Sequence, residues 1–301
     1  MSHDVLSPPR PLDPRGHGAR RASRGPRQDR AGADAAPRRL LAPTFLISAA
    51  FLVLVLLWAL VPAWFTSYDP YQSDAAAKLL PPSSTHLLGT DSLGRDSFAR
   101  LVHGTRTTLL TSLLALTIAF VVSSVLGLLA GYVGGIVDDA IGRVIDVTLA
   151  VPGLLVSLML VTGLGFGAVN IAIAVGVSSI ASFTRVMRAQ VLRVRQADFV
   201  TAAEFGGVRF WTILRRHVFP HAIAPVTALV ALEFGAAILA ISALSFLGFG
   251  AAAPEPEWGS LVASGRDYLA FAWWLTILPG TVVVLVVLAA NAVARQIEKV
   301  G

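Results

Sequence analysis

No cysteine occurs in the 301 residues, which removes disulfides, thiolate metal sites, iron–sulfur clusters and cysteine nucleophiles together. Lysine is nearly absent as well: Lys78 follows Ala77, Lys299 follows Glu298, and there are no others. Neither stands in the Gly-Lys-Ser/Thr sequence of a phosphate-binding loop, so the chain is not expected to hydrolyse ATP by itself. Charge of either sign is scarce. Only 14% of residues are charged, against roughly 25% in soluble proteins. With 55% hydrophobic residues and a mean hydropathy of +0.70, too few polar side chains remain to cover a water-facing surface, so most of it must face lipid.

What is present is ordered along the chain. Nine Arg, four Asp and six Pro crowd residues 1–42 without apolar periodicity, a composition that predicts a disordered basic tail. The pairs Arg20-Arg21 and Arg38-Arg39 would suit export signals, but the apolar run that follows is too long for a cleaved signal and reads as a retained anchor. Six stretches have the length to cross a hydrocarbon core of ~30 Å, near residues 43–65, 107–132, 144–164, 168–187, 222–247 and 271–294. They are continuous apolar runs without the alternation of a barrel strand, and only helices satisfy their backbone within one such segment. The expected fold is an all-α membrane protein with six transmembrane helices. Residues 1–42 form its cytoplasmic tail, 43–106 its first helix and an external loop, and 107–301 the five-helix domain. Trp58, Trp64, Trp258, Trp273 and Trp274 fall near helix ends, where indole rings favour the headgroup layer.

Arginine sets the orientation. Besides the nine in the tail, seven lie between the fourth and fifth helices, at Arg185, Arg188, Arg193, Arg195, Arg209, Arg215 and Arg216. Both segments are expected in the cytoplasm, together with the C-terminus, and the loops at 66–106 and 248–270 outside. Because the arginines punctuate apolar runs instead of forming one polar face, they do not suggest nucleic acid. The stretch 188–221 is too long and too polar for a plain connection. Helix formers over Ala202-Ala203-Glu204-Phe205 end at Gly206-Gly207, and Phe210, Trp211, Ile213 and Leu214 follow, which predicts two short helices about a glycine break. Such helices suit either an amphipathic element lying on the membrane or a docking element for a partner.

Here the residues resemble a known family. Asp198-Phe199-Val200-Thr201-Ala202-Ala203, then Gly207, then Arg216-His217-Val218-Phe219-Pro220, is similar to the EAA signature of ABC-importer permease subunits. Three further stretches resemble the C-type permease subunit of dipeptide, oligopeptide and nickel importers. The first is His86-Leu87-Leu88-Gly89-Thr90-Asp91-Ser92-Leu93-Gly94-Arg95-Asp96, with Arg100 beyond. The second runs from Gly131-Tyr132 through Asp138, Arg143 and Asp146 to Pro152, and the third from Leu244-Ser245-Phe246-Leu247-Gly248 to Trp258-Gly259 and Gly265-Arg266. Thr201, Phe219, His221 and Ile241 depart from the family's pattern.

The resemblance implies half of a peptide translocation pathway in the cytoplasmic membrane, formed with a second and different permease chain. ATP and Mg would reside on two partner ATPase subunits, with no cofactor or metal on this chain, and an extracytoplasmic binding protein would deliver the substrate. It further implies that Asp198, Ala202, Ala203, Gly207, Arg215, Arg216, His217 and Pro220 couple to the ATPase. Gly89, Thr90, Asp91, Gly94, Arg95, Asp96, Trp258 and Gly259 would form the external gate or meet the binding protein. Two alternatives stand beside this reading: the same architecture importing nickel or another small solute, and a proton-coupled transporter using Glu233, the carboxylate within the fifth apolar run, with Asp146 as its acidic companion.

Overall fold

The structure, a computed structural model, describes residues 43–298. Among them the chain is helical, with one isolated antiparallel bridge between Thr90 and Asp96. The helices are α1 (Pro43–Leu60), α2 (Ser97–Leu128), α3 (Gly135–Leu149), α4 (Gly153–Leu164), α5 (Ala168–Arg195), α6 (Asp198–Phe205), α7 (Phe210–Ile213), α8 (Phe219–Leu244), α9 (Trp258–Gly265) and α10 (Trp274–Glu298). Five helical segments are long and apolar enough to cross a membrane, six if the bent pair α3–α4 is one span. The basic tail and Lys299 lie outside the described residues.

Two differences from the sequence reading have a clear local cause. The third segment, expected as one helix over 144–164, is two helices meeting at 93°. Pro152 has no N–H to continue a helical ladder and holds Val151 away from the helical region, so the chain must break there. The second helix starts at Ser97, ten residues before the expected 107, because the Asp96 side chain accepts from the Ala99 N–H at 2.7 Å and caps it. Arg100, His103 and Arg106 interrupt the apolar pattern and hide this first stretch from a hydropathy reading.

Helices α2 and α5 make the most extensive contact in the molecule. Small residues permit it: a Cβ on Gly127 would lie 2.6 Å from Met187 Cβ, and one on Gly176 2.7 Å from the Ala115 carbonyl oxygen. Backbones that approach this closely gain dispersion contact that lipid tails cannot match. One core cluster joins α2 and α5 (Leu116, Phe183, Met187) to Val200, Ile213 and Val218 at the end where the short helices emerge. A second joins α1, α2, α8, α9 and α10 around Trp58, Leu101, Trp258 and Val286 at the opposite end. With 32 residues, α2 runs about 48 Å and separates the two ends.

The aromatic belt needs correction. Trp64 and Trp273 are exposed, but Trp58, Trp258 and Trp274 are buried in protein, so these three pack the core instead of anchoring in headgroups.

Candidate functional site: a short-helix platform and an opposite cap

At one end, α6 and α7 form a platform on the bundle. Val200 and Ile213 point inward and are fully buried with Val218, which fixes the pair to α2 and α5. Helix α6 ends in a turn that needs glycine. Gly207 takes φ +72°, the Val208 N–H donates to the Ala203 carbonyl at 3.1 Å and the Gly207 N–H to the Glu204 carbonyl at 3.0 Å. This pair of bonds satisfies the last carbonyls of α6 and reverses the chain. Nothing lies within 4 Å of where a Gly207 Cβ would stand, so the turn faces open space.

The outward side of the platform carries two large exposed aromatics among polar residues. Phe205 is 90% exposed and Trp211 70%, one on each side of the glycine turn. Phe210 is held from behind, its ring 4.5 Å from that of Tyr132, over which the Arg195 guanidinium sits at 5.8 Å. The structure thus brings Asp198, Ala202, Ala203 and Gly207 onto one platform. Asp198 sits in the first turn of α6, where the helix dipole favours its charge. Arg215, Arg216 and His217 follow in a wider, π-type turn that leads into α8, with both arginines exposed and Pro220 exposed beyond them. His221 donates from Nδ1 to the His217 carbonyl at 2.6 Å and packs its ring 4.9 Å from that of Phe199.

At the other end a cap is tied together by buried polar groups. Asp91 is its centre: Oδ1 accepts from the Leu93 and Arg95 N–H groups at 2.9 and 3.0 Å, and Oδ2 from Arg95 Nε at 2.7 Å. Arg100 Nε lies 3.6 Å from the same Oδ2, and its Nη1 donates to the Pro70 carbonyl at 2.9 Å. Thr90 donates to the Ala77 carbonyl and accepts from the Leu80 N–H at 2.9 Å. Asp96 Oδ2 accepts from His86 Nδ1 at 2.8 Å while its other oxygen caps α2. Gly94 takes φ +78°, and a Cβ there would fall 1.8 Å from the Asp74 carbonyl oxygen. Burial, then the Glu255 carboxylate, push the nearby Tyr71 phenol up, so it stays neutral beside these charges.

The second outer loop locks onto this cap. Trp258 is fully buried and donates from Nε1 to the Leu101 carbonyl at 3.1 Å. Glu257, 1% exposed, caps α9 by accepting from the Gly259 and Ser260 N–H groups at 2.9 and 3.0 Å, and it also accepts from Thr108 Oγ1. A Cβ on Gly259 would meet the Ser242 carbonyl oxygen at 2.4 Å. Thr90, Asp91, Asp96, Trp258 and Gly259 are therefore buried joints of the two loops and present little side chain to the outside.

Sequence reasoning passed over Glu257 and Thr108, and saw Arg100 only as part of a motif. The signal for Glu257 was present, since an acidic residue before Trp-Gly-Ser can cap a helix. Glu233 lies half-buried on α8, with no hydrogen bond or ion pair among the described residues. Asp146, expected as its acidic companion, instead pairs with Arg185 at 3.1 Å. Ile241, where the family often carries glutamate, is buried with Val161, Ile171 and Leu244.

Comparison with known proteins bears on this geometry. Residues 123–299 match the family described as "Binding-protein-dependent transport system inner membrane component". The "Dipeptide transport system permease protein DppC" of Escherichia coli (strain K12) is 41% identical over 251 residues, covering 81% of this chain and 84% of its own. The "Di/tripeptide transport system permease protein DppC" of Pseudomonas aeruginosa (strain UCBPP-PA14) is 39% identical, covering 80% and 82%. Among solved structures, a chain of the MetNI methionine ABC transporter in an inward-facing conformation superposes with a TM-score of 0.55 at 14% identity, covering 67% of this chain and 96% of its own. That likeness is one of fold: the helix order described above is that of an ABC-transporter membrane subunit. The chain belongs to the family of binding-protein-dependent transport system inner membrane components.

Proposed function

We propose that this chain is the permease subunit of an ATP-driven importer of short peptides and forms half of the pathway with a second, different permease chain. Two ATPase subunits carry the ATP and Mg, and an external binding protein delivers the peptide. The termini and the α6–α7 platform face the cytoplasm, a placement the arginine distribution supports.

The observation that carries this reading is the platform. Its inner face is fixed to the core and its outer face offers Phe205 and Trp211 about a glycine turn. Large aromatics at such exposure call for a covering surface. A groove on the ATPase would take Phe205 and Trp211, with Asp198, Ala202, Ala203 and Gly207 at its edge and Arg215, Arg216, His217 and Pro220 along the return to α8. Because Val200 and Ile213 join this platform to α2 and α5, a push on it would move whole helices as rigid bodies. The cap residues Gly89 to Asp96, with Trp258 and Gly259, would frame the outer gate and hold its shape, while neighbouring exposed loop residues meet the binding protein.

Peptide cargo is supported by the relatives, which are dipeptide and di/tripeptide permeases by name. Proton coupling through Glu233 loses support because its expected acidic companion is engaged elsewhere. Affinity purification of the tagged chain from native membranes in mild detergent, with mass spectrometry, tests the proposal. It predicts ATPase subunits and a second permease; a chain that emerges alone and transports alone after reconstitution would overturn it.

A further inference from the structure

Starting beside the platform end, where a Cβ on Gly134 would lie 3.8 Å from Arg195 Nη1, α3 lies across α5. Asp138 and Asp146 are eight residues apart, about 12 Å along α3, yet they pair with Arg188 and Arg185, which differ by only about 4.5 Å along α5. Helix α3 is therefore inclined to α5 before the 93° turn into α4. Beneath it a groove of about 500 Å³ remains between α2, α3, α4 and α5, with Ile141, Val144, Val156, Leu160, Val177 and Ile180 among its walls. No charged residue lines it.

The groove opens onto a polar basin. Ile145 borders both, and Thr184 of the groove is followed in sequence by Arg185 of the basin. The basin holds Asp138, Asp139, Asp146, Arg143, Arg185 and Arg188, so its formal charges cancel. The two ion pairs occupy four of these groups. Asp139 and Arg143 remain exposed, one turn apart on α3, and neither makes a hydrogen bond or ion pair among the described residues, though the Asp139 charge also acts on Arg188.

We propose that groove and basin form a phospholipid site, with an acyl chain in the groove and a zwitterionic, ethanolamine-type headgroup over α3, its phosphate on Arg143 and its ammonium on Asp139. The groove suits hydrocarbon, since a peptide backbone entering it would meet almost no hydrogen-bond partners. The free pair selects the headgroup: an anionic lipid would satisfy Arg143 but face Asp139, whereas a zwitterion satisfies both. The bound chain would brace α3 against α4 and α5 where the ladder breaks at Pro152.

Native mass spectrometry of the full-length chain with its co-purified partners, titrated with phosphatidylethanolamine or phosphatidylglycerol of equal acyl composition, tests this. Arg143→Glu should cut the retained phosphatidylethanolamine at least tenfold, and Asp139→Asn, which removes the partner of the ammonium, should narrow the preference for phosphatidylethanolamine over phosphatidylglycerol severalfold. Val156→Trp, which fills the groove, should cut it similarly; if that variant does not insert, Arg143→Glu alone decides, because Arg143 has no contact to lose. Unchanged phosphatidylethanolamine in Arg143→Glu, or an unchanged preference between the two lipids in Asp139→Asn, would overturn the proposal. So would a photocrosslinker at Val144 that joins a protein chain instead of lipid, since the groove would then be a helix interface.

Discussion

Gly207 is constrained by its backbone and not by space: φ is +72° and a side chain would point into the open. Asparagine tolerates that conformation, while a β-branched residue there costs about 1–2 kcal/mol. Gly207→Asn should therefore keep α6 and much of the transport, and Gly207→Val should insert normally but uncouple ATP hydrolysis from uptake, measured side by side in reconstituted complexes. At the cap, Trp258→Ala removes a fully buried indole and should cost about 3–5 kcal/mol, whereas Trp258→Phe, losing chiefly the bond to Leu101, should cost about 1 kcal/mol; thermal unfolding in detergent distinguishes them. Ile241 shows where resemblance stops helping. Its burial among Val161, Ile171 and Leu244 means that Ile241→Glu would put a lone carboxylate into an apolar cluster. Folded yield should fall sharply with Glu and stay unchanged with Leu.

Elements were legible in the sequence to the extent that one local signal decided them. The two short helices about Gly206-Gly207 could be read directly, because helix formers, a glycine stop and a renewed apolar pattern coincide there. The start of α2 was hidden: Arg100 is charged yet buried, since the Asp91 carboxylate and the Pro70 carbonyl lie across a fold that no window of sequence contains. The break between α3 and α4 was signalled by Pro152, but its 93° angle was not legible in the sequence. The Arg188–Asp138 pair is partly exposed, so Asp138→Asn should cost only about 1 kcal/mol globally. Its effect should appear locally, as faster amide hydrogen exchange across α3 with α5 unchanged.

For the whole molecule, composition alone excluded a soluble fold, while the positions of the platform and the cap at opposite ends emerged only from the packing of α2 against α5. The outward face of the platform was the least legible part. Phe205, Phe210 and Trp211 are equally apolar in sequence, yet Phe210 packs on Tyr132 while Phe205 and Trp211 face out. The central claim is that this outward face seats on an ATPase. The absence of cysteine makes the direct test clean. A Phe205→Cys variant in native membranes, treated with a short thiol-to-amine crosslinker, should yield one adduct containing an ATP-binding cassette subunit, weakened or strengthened by nucleotide. Modification by lipid-phase reagents alone, with no protein adduct while uptake persists, would contradict the account and leave α6 and α7 as helices resting on the membrane surface.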